Sequence, residues 1–163
     1  MPERTSGFVR VCSVFLPREG TKAIVVGMYN HGGLYAEREG QAILVESTNL
    51  QTLGESTLRK LDRCVYEESF NYRCKKASDW PAFKTSGMKA IRSFEAADVR
   101  YLVSGANSAN VTWEVASPTL PNGVELRAFI PAASSADRIG SWIAKFHDFF
   151  LGVEVFQRNP RSS

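Results

Sequence analysis

Between Val99 and Ile130, apolar side chains return at every second position in three separate runs. Val99, Tyr101 and Val103 make the first, and Val111, Trp113 and Val115 the second. Val124, Leu126, Ala128 and Ile130 make the third. A period of two marks a strand with one dry face, because successive side chains leave opposite sides of the backbone. Ser117-Pro118 and Pro121-Asn122-Gly123 separate the last two runs, so these form a hairpin with a wide loop. Thr112, Glu114, Glu125 and Arg127 fill the alternate positions, which predicts an antiparallel sheet solvated on one side. The dry side needs a cover.

The end of the chain supplies one. Ile139, Trp142, Ile143, Phe146 and Phe149 or Phe150 recur at i, i+3, i+4, i+7 and form one helical stripe. Ser134 or Ser135 is the expected cap, Asp137 suits the positive end, and Gly152 is the expected stop. The tail 157–163 reads as frayed, leaving residues 1–156 as a single globular domain.

The first 46 residues read as a meander. Residues 9–15 are β-rich and close at Pro17, and residues 21–29 are apolar enough for a central strand covered on both faces. Asn30-His31-Gly32-Gly33 is a turn. Leu34-Tyr35-Ala36 and Ala42-Ile43-Leu44-Val45 are two further strands, with Glu39-Gly40 turning between them. The period then changes. Leu50, Leu53, Leu58, Leu61 and Val65 predict a helix over residues 49–63, with Thr52 and Glu55 as a capping box. Gly54 costs such a helix about 1 kcal/mol relative to Ala. Residues 66–77 read as a connection, 79–86 as a short helix ended by Gly87, and 88–95 as an imperfectly alternating strand. The sum is one α+β domain: a mainly antiparallel sheet with about three helices, the C-terminal one packed on the sheet.

Composition excludes several classes. With 44% hydrophobic and 23% charged residues, the 163-residue chain is globular rather than disordered, and no apolar run approaches a membrane span. No signal-type segment precedes Phe8, so the expected location is cytoplasmic. Cys12, Cys64 and Cys74 are too few and too scattered for a disulfide framework, and Cys12 and Cys64 fall on apolar faces as buried thiols. Neither a metal site nor a cofactor is expected, since no zinc, dinucleotide-binding or P-loop spacing occurs. No catalytic residue is assigned either. The nearest nucleophile pairing sets Cys64 or Cys74 against His147 or His31, but Cys64 belongs to a buried stripe and His147 points off one. His31, in a glycine turn, reads as a solvated loop residue.

Three readings are left: an unrecognised enzyme or ligand carrier with its cavity between the sheet and the terminal helix, and two binding readings. Phe70, Tyr72, Arg73, Lys75, Lys76 and Trp80, followed by Lys89 and Arg92, mix aromatic and basic groups across residues 70–92 as single-stranded nucleic acid prefers. Glu67, Glu68 and Asp79 interrupt that segment with negative charge. The net charge of +3 decides neither way.

The other reading comes from residues 48–110. Thr52-Leu53-Gly54 on a helix is followed by Ser78-Asp79-Trp80-Pro81-Ala82-Phe83-Lys84. Ser86-Gly87-Met88-Lys89-Ala90-Ile91-Arg92-Ser93-Phe94-Glu95 and a Tyr101-x-Val103 strand come next. This series resembles the immunity proteins of bacterial contact-dependent growth inhibition systems. The resemblance implies a cytosolic, non-enzymatic protein that binds a cognate toxin domain one-to-one and neutralises it, without cofactor or membrane. Toxins of that family are often nucleases with basic surfaces, so an inhibitor should present carboxylates. Glu67, Glu68 and Asp79 are the expected partner-binding residues. Trp80, Phe83 and Phe94 fit core and interface equally.

Overall fold

Strand β1 (Val9–Pro17) is buried without a break from Val11 to Leu16, so both its faces must be covered. The computed structural model, which describes residues 8–67, 76–106, 112–131 and 133–159, shows how. β1 pairs antiparallel with β2 (Lys22–His31) on one side and with β5 (Asp98–Ala106) on the other, Cys12 standing opposite both Gly27 and Val103. Beyond β2 lies β3 (Leu34–Glu46), and beyond β5 lie β6 (Thr112–Thr119) and β7 (Glu125–Pro131). The order is therefore β3-β2-β1-β5-β6-β7. A two-residue strand, β4 (Val65–Tyr66), adds the one parallel pairing among the described residues, beside Tyr29 and Asn30.

Helices cover both faces. On one face α1 (Leu50–Asp62) and α4 (Ala136–Arg158) close a core of Cys12, Val14, Val25, Leu53, Tyr101, Val103, Ile139, Ile143 and Phe150. On the other, α2 (Pro81–Ser86) and α3 (Ile91–Ala97) lay Ala82, Phe83 and Phe94 against Val11, Phe15, Ile24, Val26 and Met28. Alternation along β1 and β2 sends neighbouring residues into different cores. This is the α+β domain expected, with the C-terminal helix on the sheet, though four α-helices and a 3₁₀ turn (Ala77–Asp79) are present among the described residues.

Five local expectations are corrected. Residues 88–95 are not a strand: Ile91 and Phe94 sit one helical turn apart and both reach the second core, which a strand could not achieve from one face. Glu39-Gly40 does not split β3. Gly40, at φ +70°, lets β3 bulge past β2 between two stretches of regular pairing. The cap of α1 is Asn49, whose Oδ1 accepts from the Thr52 N–H at 3.1 Å, in place of the Thr52–Glu55 box. Gly152 does not stop α4, which continues through Gln157 to Arg158 because Leu151, Val153 and Glu154 still have partners to pack against. On that helix Phe150 is 1% exposed and Phe149 61%, so the stripe bends toward Phe150, and Trp142 stands outside it.

Candidate functional site

A cavity of about 460 Å³ opens at the end of the sheet where β1, β5 and β6 run out toward the second helical layer. Its apolar wall is aromatic: Phe15, Tyr35, Trp80, Phe83 and Phe94. Register accounts for part of this, since Phe15 pairs with Arg100 across β1 and β5. Packing accounts for the rest: the Phe94 ring lies 5.1 Å from Phe15 and 5.9 Å from Phe83.

The polar wall is made of six charged side chains. Glu37, on β3, is 8% exposed and caps α2, its Oε1 accepting from the Ala82 N–H at 2.8 Å. Sequence makes that cap necessary, because Trp80 has no side-chain acceptor and Pro81 has no N–H, leaving Ala82 as the first donor of the helix. Burial raises the Glu37 pKa, against the Ala82 bond and the attraction of Arg100. Arg100 donates Nε to Ser13 Oγ at 3.2 Å; its side chain touches solvent along the cavity, yet the protein packed around it lowers its pKa, opposed by Glu37. Arg18 and Glu154 make a two-pronged pair, with Nη2 to Oε2 at 3.1 Å. Glu95 and Asp98, one turn apart at the α3–β5 junction, have no cationic partner among the described residues, and burial raises the Asp98 pKa with nothing to oppose it. Burial also raises the Tyr35 phenol, aided by Cys64 and Glu114. The cavity thus balances two cations internally and leaves two carboxylates uncompensated.

No nucleophile and base are brought together among the described residues. Cys64 is buried with the α2–α3 layer, and burial raises its thiol. His147 lies on the opposite face and does not point off its stripe as expected. It is 8% exposed, with Nδ1 accepting from the Tyr101 hydroxyl at 2.6 Å and Nε2 donating to the Pro17 carbonyl at 3.0 Å. Both ring nitrogens are occupied. His31 is not a free loop residue either, since its Nδ1 contacts the Glu67 carbonyl oxygen. Cys12 is buried with Sγ 3.8 Å from the Thr57 carbonyl. Cys74 lies outside the described residues. No group of three or more metal-ligating side chains forms among the described residues, and no helix there is long and apolar enough to cross a membrane.

The expected partner-binding residues are separated. Glu67 follows β4, its N–H bonded to the Asn30 carbonyl at 3.0 Å. Asp79 ends the 3₁₀ turn, accepting from the Lys76 N–H at 3.1 Å, and lines a shallow hollow with Glu39, Pro81 and Lys84. Glu68 lies outside the described residues. In the basic and aromatic segment, Lys76, Lys89 and Arg92 are exposed and Trp80 turns into the cavity, while Phe70, Tyr72, Arg73 and Lys75 are outside the described residues. Phe83 and Phe94 belong to the second core. Glu37 was missed because it falls between a short strand and the turn expected at Glu39-Gly40, and Asp98 and Arg100 because they occupy the polar side of an alternating strand, which alone reads as facing water. The i, i+3 spacing of Ile91 and Phe94 was the signal that a second layer covers that side.

Taken together, the chain is an α+β domain with an antiparallel sheet between two helical layers and an aromatic, acid-rich cavity at one end. No protein-family model matches the sequence, and no curated protein matches it. Solved structures share the fold, two of them as follows. A protein of unknown function from Neisseria meningitidis, NMB0488, is 11% identical with a TM-score of 0.59, over 84% of this chain and 92% of that one. A chain of the CdiA-CT/CdiI toxin and immunity complex from Yersinia pseudotuberculosis is 12% identical with a TM-score of 0.55, over 83% of this chain and 93% of that one.

Proposed function

We propose that this protein is an immunity protein, a stoichiometric binder that neutralises a cognate toxin domain of a contact-dependent growth inhibition system in the cytoplasm. The observation that carries the reading is the fold shared, over 83% of this chain and 93% of that one, with a chain of a toxin and immunity complex. The sequence resemblance over residues 48–110 points the same way independently, and its central stretch builds α2 and α3. The uncompensated carboxylates Glu95 and Asp98 line the cavity, and negative groups presented to a basic partner favour fast association with a nuclease-like surface.

The test is co-expression with the toxin-like C-terminal domain encoded immediately upstream, scored by host survival and by a one-to-one complex on gel filtration. Rescue with complex formation supports the reading. Death of the host without a complex, or a harmless upstream domain, refutes it. Charge reversal of Glu67, Glu68 and Asp79 together to Lys should slow association at least about tenfold at low salt if they face the toxin. Stopped-flow mixing measures this, and an unchanged rate moves the interface elsewhere.

A further inference from the structure

The last turn of α1 meets the bulged middle of β3, and four basic side chains gather there: Arg38, Arg59, Lys60 and Arg63. Lys60 is the unusual member, because only 2% of it is exposed. Its stem passes over Gly27 in the middle of β2. A methyl group at Gly27 would stand 3.2 Å from Gln41 Cβ and 3.7 Å from Lys60 Cδ, so the bare backbone makes the room. At the far end Lys60 Nζ has a single acceptor, Gln41 Oε1 at 3.2 Å, and Arg63 Nη1 turns toward that same oxygen at 3.4 Å. Arg38 donates Nη1 to the Arg63 carbonyl and lies 5.4 Å over the Tyr29 ring, while its Nε is buried with no acceptor.

This arrangement is short of negative charge. Among the described residues none of the four cations pairs with a carboxylate, and nearby Asp62 is taken by Arg10 at 3.4 Å. A buried ammonium carries three donors and ordinarily finds a carboxylate or several acceptors. The C-terminal carbonyls of α1 offer only about half a negative charge. Burial, then Arg63, Arg59 and Arg38, depress the Lys60 pKa, which is the expected sign for cations crowded without an anion.

We infer that this cluster is an oxyanion site, in which a phosphate or carboxylate group lies against the guanidinium groups of Arg38, Arg59 and Arg63 with the Lys60 ammonium as fixed positive charge beneath. The guanidinium forks supply planar donors for the oxyanion, and Gln41 holds Lys60 and Arg63 in place around one oxygen. Arg38 follows the cavity-lining Glu37 on β3 and leaves the strand on its other side, and the inference does not rest on the immunity reading.

Thermal melts of the full chain, titrated with inorganic phosphate or with acetate and held at constant ionic strength with chloride, test it. The expected result is a rise in Tm that saturates, half-maximal at about 1–10 mM of the bound anion. Saturation in phosphate alone assigns a phosphate group, and saturation in acetate as well admits a carboxylate. The double variant Arg59→Gln/Arg63→Gln, altered only at exposed side chains, should lose the saturable rise and keep the shallow general salt effect. Lys60→Met should melt higher than the parent in chloride and gain nothing from phosphate. Identical titration curves for the parent and the double variant would overturn the inference, as would a parent that shows no saturable rise with either anion.

Discussion

His147 shows how one side chain can be misjudged and still be decisive. Its ring lies edge-on to Tyr101, 5.5 Å between centroids, and both nitrogens are used inside the protein. Burial lowers its pKa below 6.5, helped by Arg18 and opposed by the Pro17 carbonyl and Asp148. The unfolded chain therefore takes up this proton first as pH falls. The stability His147 contributes is present above pH 6.5 and is lost as pH falls through its lower folded value. His147→Gln should cost about 1–3 kcal/mol at pH 7.5, since it leaves the buried Tyr101 hydroxyl poorly matched. Urea denaturation of both proteins at pH 7.5 and pH 5 should show that gap narrowing at the lower pH. Glu37 and Asp98 have raised pKa values and act in the opposite sense above the ordinary carboxylate range, which is why the difference between two proteins is the quantity to follow. The sequence placed His147 off the stripe because it adjoins Phe146, and only the Pro17 carbonyl arriving from β1 makes that position an interior one.

At the scale of elements, three glycines in helices have different reasons to be there. A methyl group on Gly54 of α1 would sit 1.7 Å from the Ala136 carbonyl oxygen, and one on Gly140 of α4 would sit 2.0 Å from that of Leu50. The two helices cross backbone to backbone, and these glycines are what permits it. Gly152 has nothing within 4 Å of such a methyl group. Gly54→Ala and Gly140→Ala should each destabilise by about 2–4 kcal/mol, because helix backbones are the groups that would have to move. Gly152→Ala should stabilise by up to about 1 kcal/mol through helix propensity alone. Chemical denaturation of the three variants checks both signs. The sequence showed Gly54 only as a cost to α1, since its cause lies in a helix more than eighty residues away. Likewise α3 was read as a strand: a helix this short offers a single i, i+3 pair, too little periodicity to outweigh the alternation around it.

Across the whole molecule, the Arg18–Glu154 pair joins the end of β1 to the last turns of α4 and forms one wall of the cavity. Glu154→Ala should cost about 1–2 kcal/mol, a partly screened value because Arg18 remains 31% exposed, and should fray α4 beyond Phe150. Hydrogen exchange of residues 151–158 would report the fraying, and thermal melting the cost. By itself the sequence determined most of the strands, though not the helical nature of 91–97 or the continuity of β3, together with the helices over 49–63, 79–86 and the chain end and the buried thiols, because periodicity and hydrophobic burial are local properties of a chain. It also determined that one face of the sheet would be covered by the terminal helix. The apolar run over 21–29 asked for cover on both faces of the middle of the sheet, and only the tertiary structure decided that α2 and α3 supply it on the second face. That second layer buried Glu37 as the cap of α2 and set Asp98 and Arg100 along the wall of a cavity, and threading Lys60 over Gly27 buried one cation of a basic helix end. The physical reason is the same for both: a continuous apolar run shows that a strand is covered, but which distant segment packs above a given polar side chain is settled only when the chain folds.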